Sequence, residues 1–210
     1  MFARIAAVAA GLAVAGCSVI GDRSGTEEPH YDTVTRVGEV EIRRYAPRLA
    51  AETVVEADEE AARNEGFRRL AGYIFGGNSG ATKIAMTAPV AQQPAGTRIA
   101  MTAPVAQARD AQGRWVVRFF LPREWTMEAL PAPNDPAVRL VTVPVETMAV
   151  LRFSGSRGAA AVAERQDVLL GALQGSAWQP TAAPVAWFYD PPWTLPWMRR
   201  NEVAVEVAAR

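Results

Sequence analysis

Twice in this chain a run with strand periodicity passes straight into a run with helical periodicity, and each time further strands follow. The first is RLAAETVVEA, Arg48–Ala57, which reads as a strand rich in β-formers. The period then changes. Asp58 can cap a helix, Glu59 and Glu60 fall in its first turn, and the helix dipole favours negative charge there. Phe67, Leu70, Ala71 and Ile74 recur at i, i+3, i+4 and i+7, one face of a helix. Glu65 can pair with Arg68 or Arg69 on the outer side, and Gly76-Gly77 stops the element. The second passage runs from Thr147–Phe153 into a helix over Gly158–Gly175, whose stripe is Val162, Leu169, Leu170 and Leu173. Two such halves closing on each other predict an α+β fold. It is one curved or barrel-like antiparallel sheet, built from two similar halves and flanked by two helices.

The remaining segments fit that plan. YDTVTRVGEVEIRRY, Tyr31–Tyr45, reads as a hairpin turning at Val37-Gly38-Glu39. Arg114–Pro122 reads as a strand, Leu130–Pro136 with its three prolines as a loop, and Ala137–Pro144 as a strand. Pro184–Asp190 and Asn201–Val207 read as the last two strands, separated by PPWTLPWMRR. Between the first helix and Arg114 the chain repeats itself. Thr82–Gln92 and Thr97–Gln107 share an eleven-residue phrase with one change, Lys83 against Arg98. Strand alternation would point Ile84 and Met86 one way and Ala85 and Thr87 the other. QQPAGTR between the copies suits a hairpin turn, making the phrase a sheet-building unit used twice.

The N-terminus reads as an export signal. One positive side chain, Arg4, precedes twelve apolar residues, Ile5–Gly16, too few to span a bilayer at about 20 residues per crossing. VAGC, Val14–Cys17, resembles a bacterial lipobox, in which the cysteine is lipidated and becomes the new N-terminus. The expected organisation is a signal over 1–16, lipidated Cys17 with a polar tether over 17–29, and one domain over 30–210. The alternative is an ordinary cleaved signal whose tail happens to hold a cysteine. Ser18 after Cys17 favours an outer-membrane anchor facing the periplasm. Cys17 is the only cysteine, so no internal disulfide is possible and the fold rests on its core.

By this point several phrases resemble one family. They are YAPRLAAETVVEAD, ARNEGFRRLAGYIFGGN, KIAMTAPV, PAPNDP, MAVLRFSG and YDPPWTLPWMRRNEV, and the resemblance to the SOUL or haem-binding-protein family runs from Tyr31 to Val207. It implies a distorted antiparallel β-barrel with two flanking helices and similar halves, related in shape to bacterial effector-binding domains. Animal members bind haem or other tetrapyrroles, mainly through an apolar surface beside the first helix and without a required axial histidine.

The side-chain inventory disfavours catalysis. His30, the only histidine, lies at the junction of tether and domain, and no Ser-His or Cys-His pair exists. Asn134-Asp135 sits among prolines, where turn chemistry explains it. Charges balance at 22 against 22, with no basic stripe for nucleic acid. A tetrapyrrole site needs an apolar slot and rim cations for propionates. Phe67, Leu70, Ala71 and Ile74 offer the slot where the resemblance places it, and Arg63, Lys83 and Arg98 are candidate cations. The same apolar residues would equally well pack the helix on the sheet. Trp193 and Trp197 with Arg199 and Arg200 read either as a clamp for a planar anion or as a loop covering the barrel end beside an ion-pair network. The expected function is non-covalent binding of haem or a related tetrapyrrole by a lipid-anchored envelope protein. The competing expectation is an envelope scaffold lipoprotein with no small-molecule ligand.

Overall fold

Asp58 does cap the first helix. Its carboxylate accepts from the Ala61 amide at 2.9 Å, and α1 runs Glu59–Ile74. This is a computed structural model, and it describes residues 26–94 and 114–210. The strands are β1 Tyr31–Val37, β2 Val40–Tyr45, β3 Arg48–Glu56, β4 Val90–Pro94, β5 Arg114–Phe120, β6 Val138–Val143, β7 Glu146–Phe153, β8 Trp178–Pro180, β9 Val185–Phe188 and β10 Asn201–Ala209. The second helix, α2, is Ala159–Leu173. β1 and β2 form the expected hairpin, with Gly38 at φ 58° in the turn, a conformation that glycine adopts without steric cost. β8 is a short strand on β10 that periodicity did not reveal, because three residues are too few to show a period.

The strands form one curled antiparallel sheet in the order β1-β2-β7-β10-β9-β4-β5-β3-β6. The order is symmetric about the β9–β4 seam. β10 mirrors β5, β7 mirrors β3, and β2 mirrors β6, so β2-β3-α1-β4-β5 and β6-β7-α2-β9-β10 are the two similar halves. Each half lends its first strand to the other: β2 pairs with β7, and β6 with β3.

Alternation sorts the side chains onto two faces. The outer face carries Val40, Ile42, Ala149, Leu151, Val203 and Val205 under α2. Under α1 it carries Ala51, Val117, Phe119 and Val138. The inner face mixes Tyr45, Phe120, Met148, Val150 and Trp187 with buried ion pairs. α2 buries Val162, Leu169 and Leu173, while Leu170 is half-buried.

Three expectations change. The ordered fold starts before His30: the Glu27 carbonyl accepts from Ala88 N at 3.0 Å, its carboxylate accepts from Arg123 N at 3.1 Å, and Glu28 pairs with Arg200 at 2.9 Å. The last residues of the expected tether are therefore held against the domain.

Second, the first repeat copy is not a strand throughout. It becomes one only at Val90; before that point it makes a single isolated bridge, Thr87 to Glu27, too short to extend into a ladder. Ile84 and Thr87 are buried while Ala85 and Met86 are exposed, so the expected alternation fails. Ile84 N donates to Ile74 O at 2.8 Å and the Thr87 hydroxyl donates to Phe120 O, and these two bonds set the path instead.

Third, β4 has β5 on one side and β9 on the other over Val90–Gln92, leaving neither edge of that stretch open for a hairpin partner. The second copy, with Arg98 and Met101, lies outside the described residues, as does Cys17.

Candidate functional site

The apolar face of α1 resolves into two rows. Ala62, Gly66, Leu70, Tyr73 and Ile74 turn inward, and Leu70 is 0 % exposed. Leu70 and Ile74 pack with Val117, Phe119, Leu121 and Leu130, so neither is open to a ligand. The helix needs them to bury its own contact with the sheet. Gly66 makes that contact close: a Cβ there would meet Val117 Cβ at 2.5 Å. The second row is Phe67, Ala71 and Phe75, at four-residue steps along the outer edge. Phe75, just past the helix end, is 63 % exposed, and Phe67 rests its ring edge on Phe119 at 5.3 Å. The Ile84–Ile74 bond brings exposed Lys83 alongside the last turn of the helix.

Arg63 does not stand at a rim. It is buried, donates from Nη1 to the Arg157 carbonyl at 3.1 Å, and lies over the Phe188 ring at 5.1 Å. Arg157, in the loop before α2, lies over the same ring at 5.8 Å and donates to the Asp190 carbonyl at 3.3 Å. Arg199 donates to the Thr194 carbonyl at 2.7 Å and the Pro192 carbonyl at 2.8 Å, holding the loop before β10 in shape. Burial first, then the like charges of Arg63 and Arg199, press the Arg157 guanidinium down to about 10, with Asp190 and Glu60 offsetting part. Burial also lowers Arg63, against the pull of Glu59 and Glu60. Arginine keeps its proton in proteins, so both guanidiniums stay charged.

Beside this cationic junction the loop Pro191–Arg199 presents Trp193 at 62 % and Trp197 at 70 % exposure. Both rings stand largely in solvent, beyond what the expected cover of the barrel end would require. The loop is nonetheless firmly tied. Thr194 is buried, Gly155 N donates to Pro196 O at 2.8 Å, and a single 3-10 turn spans Pro196–Met198. Of Arg199, Arg200 and Glu202, expected to form one ion-pair network, Arg200 and Glu202 do pair, at 2.9 Å, together with Arg43, while Arg199 donates to carbonyls of its own loop. Sequence reading found Arg63, Trp193, Trp197 and Arg199 but missed Arg157 and Phe188. Arg157 lies in a glycine-bounded loop, and Phe188 in a fully apolar strand, so neither shows a local signal.

Two cavities open elsewhere. One, of about 360 Å³, is lined by residues including Glu27, His30, Arg48, Phe120 and Trp125. The other, of about 290 Å³, lies among Arg36, Glu41, Arg43, Arg152, Arg200 and Glu202. Neither is lined by α1. Among the described residues there is no group of three His, Cys, Asp or Glu placed to hold a metal, and no helix is long and apolar enough to cross a membrane. Asn134-Asp135 serves turns: the Asp135 carboxylate accepts from Ala137 N at 2.8 Å.

Fold and site define a class: a pseudo-symmetric two-helix half-barrel with a cationic, aromatic junction between its halves. The profile of the SOUL heme-binding protein family matches residues 26–206. The chain belongs to that family. Among solved structures it is similar to the EcmrR C-terminal domain, at 11 % identity and TM-score 0.54, covering 86 % of this chain and 99 % of that one. It is also similar to a hydrolase encoded by lin2189 from Listeria innocua, at 12 % identity and TM-score 0.53, covering 81 % and 92 %. At these identities the likeness is one of fold. Among curated protein sequences, none matches the chain.

Proposed function

We propose that this protein binds haem or a related tetrapyrrole non-covalently, beside the first helix, as a lipid-anchored protein of the bacterial cell envelope. The observation that carries the reading is the gathering of Arg63 and Arg157 over Phe188, with Arg199 near Arg157 in the loop that exposes Trp193 and Trp197. A tetrapyrrole is a flat apolar plate with two carboxylates. Tryptophan faces suit the plate, and guanidiniums suit the carboxylates. Phe67 and Lys83 extend the same side of α1 as secondary contacts. Family membership supports the ligand class, and the lipobox-like VAGC supports the anchor at Cys17. The reading is of a binder and not an enzyme.

Titrating hemin into the purified protein tests this. A Soret shift with saturable tryptophan quenching is expected, weakened at least tenfold in Arg157→Gln/Arg199→Gln and in Trp193→Ser/Trp197→Ser. Absence of both signals would sink the tetrapyrrole reading and leave a ligand-free scaffold. Mass spectrometry of Cys17 in protein extracted from membranes tests the anchor separately.

A further inference from the structure

The slot that β4 fills has two occupants of equal fit in the sequence. The first copy of the repeat makes the following contacts. Ile84 is buried in the core beneath α1 and its amide donates to Ile74 O. The Thr87 hydroxyl donates to Phe120 O, and Ala88 N donates to Glu27 O. Val90 enters the outer core and Ala91 the inner one. Gln92 is buried, and its Nε2 donates to Glu59 O at 2.6 Å. Each of these residues has an identical counterpart fifteen positions on: Ile99, Thr102, Ala103, Val105, Ala106 and Gln107. The contacts select residue types, and both copies supply them.

Chain connectivity does not choose the first copy either. With Val90–Pro94 in the slot, 19 residues separate Pro94 from Arg114 at the start of β5. Antiparallel neighbours are usually joined by about two to five residues. With Val105–Arg109 in the slot the connection is Asp110–Gly113, four residues of ordinary hairpin composition, ending in glycine. The link from α1 lengthens in exchange from 15 residues, 75–89, to 30 residues, 75–104. Closure cost grows only with the logarithm of length, so cutting one link to about a fifth gains roughly twice what doubling the other costs, a lean of about fourfold toward the second copy. The clasp in which Asn78 Oδ1 accepts from Thr82 N and Nδ2 donates to Thr82 O, at 2.9 and 2.8 Å, holds the first copy. Thr97 is its identical substitute.

We propose that the chain has two interchangeable registers, in which either Ile84–Gln92 or Ile99–Gln107 fills the slot between β5 and β9. The exchange moves a fifteen-residue insertion from the β4–β5 link to the end of α1. It replaces Lys83 beside the last helical turn with Arg98, so the apolar edge of α1 differs between the two states.

Urea unfolding of the full chain tests this with Val90→Asp, Val105→Asp and the double variant. Each single variant removes one of two states of similar stability and is expected to lower the folding equilibrium constant by no more than about fivefold, Val105→Asp more than Val90→Asp. The double variant leaves no competent copy and is expected to lose the cooperative transition. Deleting residues 83–97, which leaves one copy and a four-residue hairpin link, is expected to keep a cooperative transition with an unchanged or higher midpoint. A single variant as damaging as the double, with the other single silent, overturns the proposal, as does a deletion that abolishes folding.

Discussion

Arg43 and Glu202 stand 159 positions apart in the chain and meet at 2.9 Å on the inner face of the sheet. Both side chains are withdrawn from solvent. Glu202 also accepts from the Tyr189 hydroxyl at 2.6 Å and from Arg200 Nη2 at 2.9 Å, so its carboxylate is fully engaged. The pair ties β2 to β10 across the intervening β7. Removing Glu202 leaves buried Arg43 with only the partly exposed Glu41 as counter-charge, and breaking a buried pair costs up to about 3–5 kcal/mol. Glu202→Ala should therefore lose about that much in urea unfolding. The paired change Arg43→Met/Glu202→Leu should lose less than Glu202→Ala alone.

Acid should remove a second contribution. Burial raises the Glu41 carboxyl, but Arg43 and Arg36 outweigh it and hold the group below its ordinary 4.5. A carboxyl depressed in the folded state adds stability above its unfolded value, and that stability is lost as pH falls through the folded value. Glu41→Gln should be less stable than wild type at pH 7. The gap between the two should close as pH drops below 4.5, read from unfolding midpoints across pH.

Two glycines of α1 should respond oppositely to the same change. Gly66 has Val117 Cβ at 2.5 Å from its would-be Cβ, whereas Gly72 has nothing within 4 Å. Helix propensity favours alanine at either place by about 1 kcal/mol. At Gly66 overpacking, about 1–3 kcal/mol, outweighs it. Gly66→Ala should lower the melting temperature and Gly72→Ala should raise it.

The two rows of α1 should separate by mutation. Leu70→Asp places a charge in the core and should abolish the cooperative transition. Phe75→Ser, at an exposed site, should shift stability by less than about 0.5 kcal/mol. Thermal unfolding followed by circular dichroism distinguishes the two.

The sequence carried the halves, both helices and most strands, because capping and alternation are local. Asp58 and the Glu65–Arg68–Arg69 cluster behave as their spacing implies, with Glu65 accepting from both arginines. The site was legible only in part. Periodicity marks Phe67, Leu70, Ala71 and Ile74 as one face, but it cannot say how far the sheet reaches beneath them. The sheet takes Leu70 and Ile74 and leaves Phe67 at its edge. Arg63 was found for its charge, yet its setting depends on Arg157 and Phe188, which are 94 and 125 residues away. Only the meeting of the two halves places those three side chains together.

The exchange of first strands between the halves governs the order in which this chain can fold. β2 is made early, but its partner β7 follows about a hundred residues later, with Arg43 opposite Met148. Neither half holds a closed set of pairings, so neither offers a stable stopping point. Most of the sheet must wait for distant segments, and closing such long loops before any contact forms slows folding. Synthesis from the N-terminus would leave β2 and the hydrophobic underside of α1 uncovered until β5–β7 emerge. If exported, as proposed, a chain of this topology gains from being held unfolded until all of it is across.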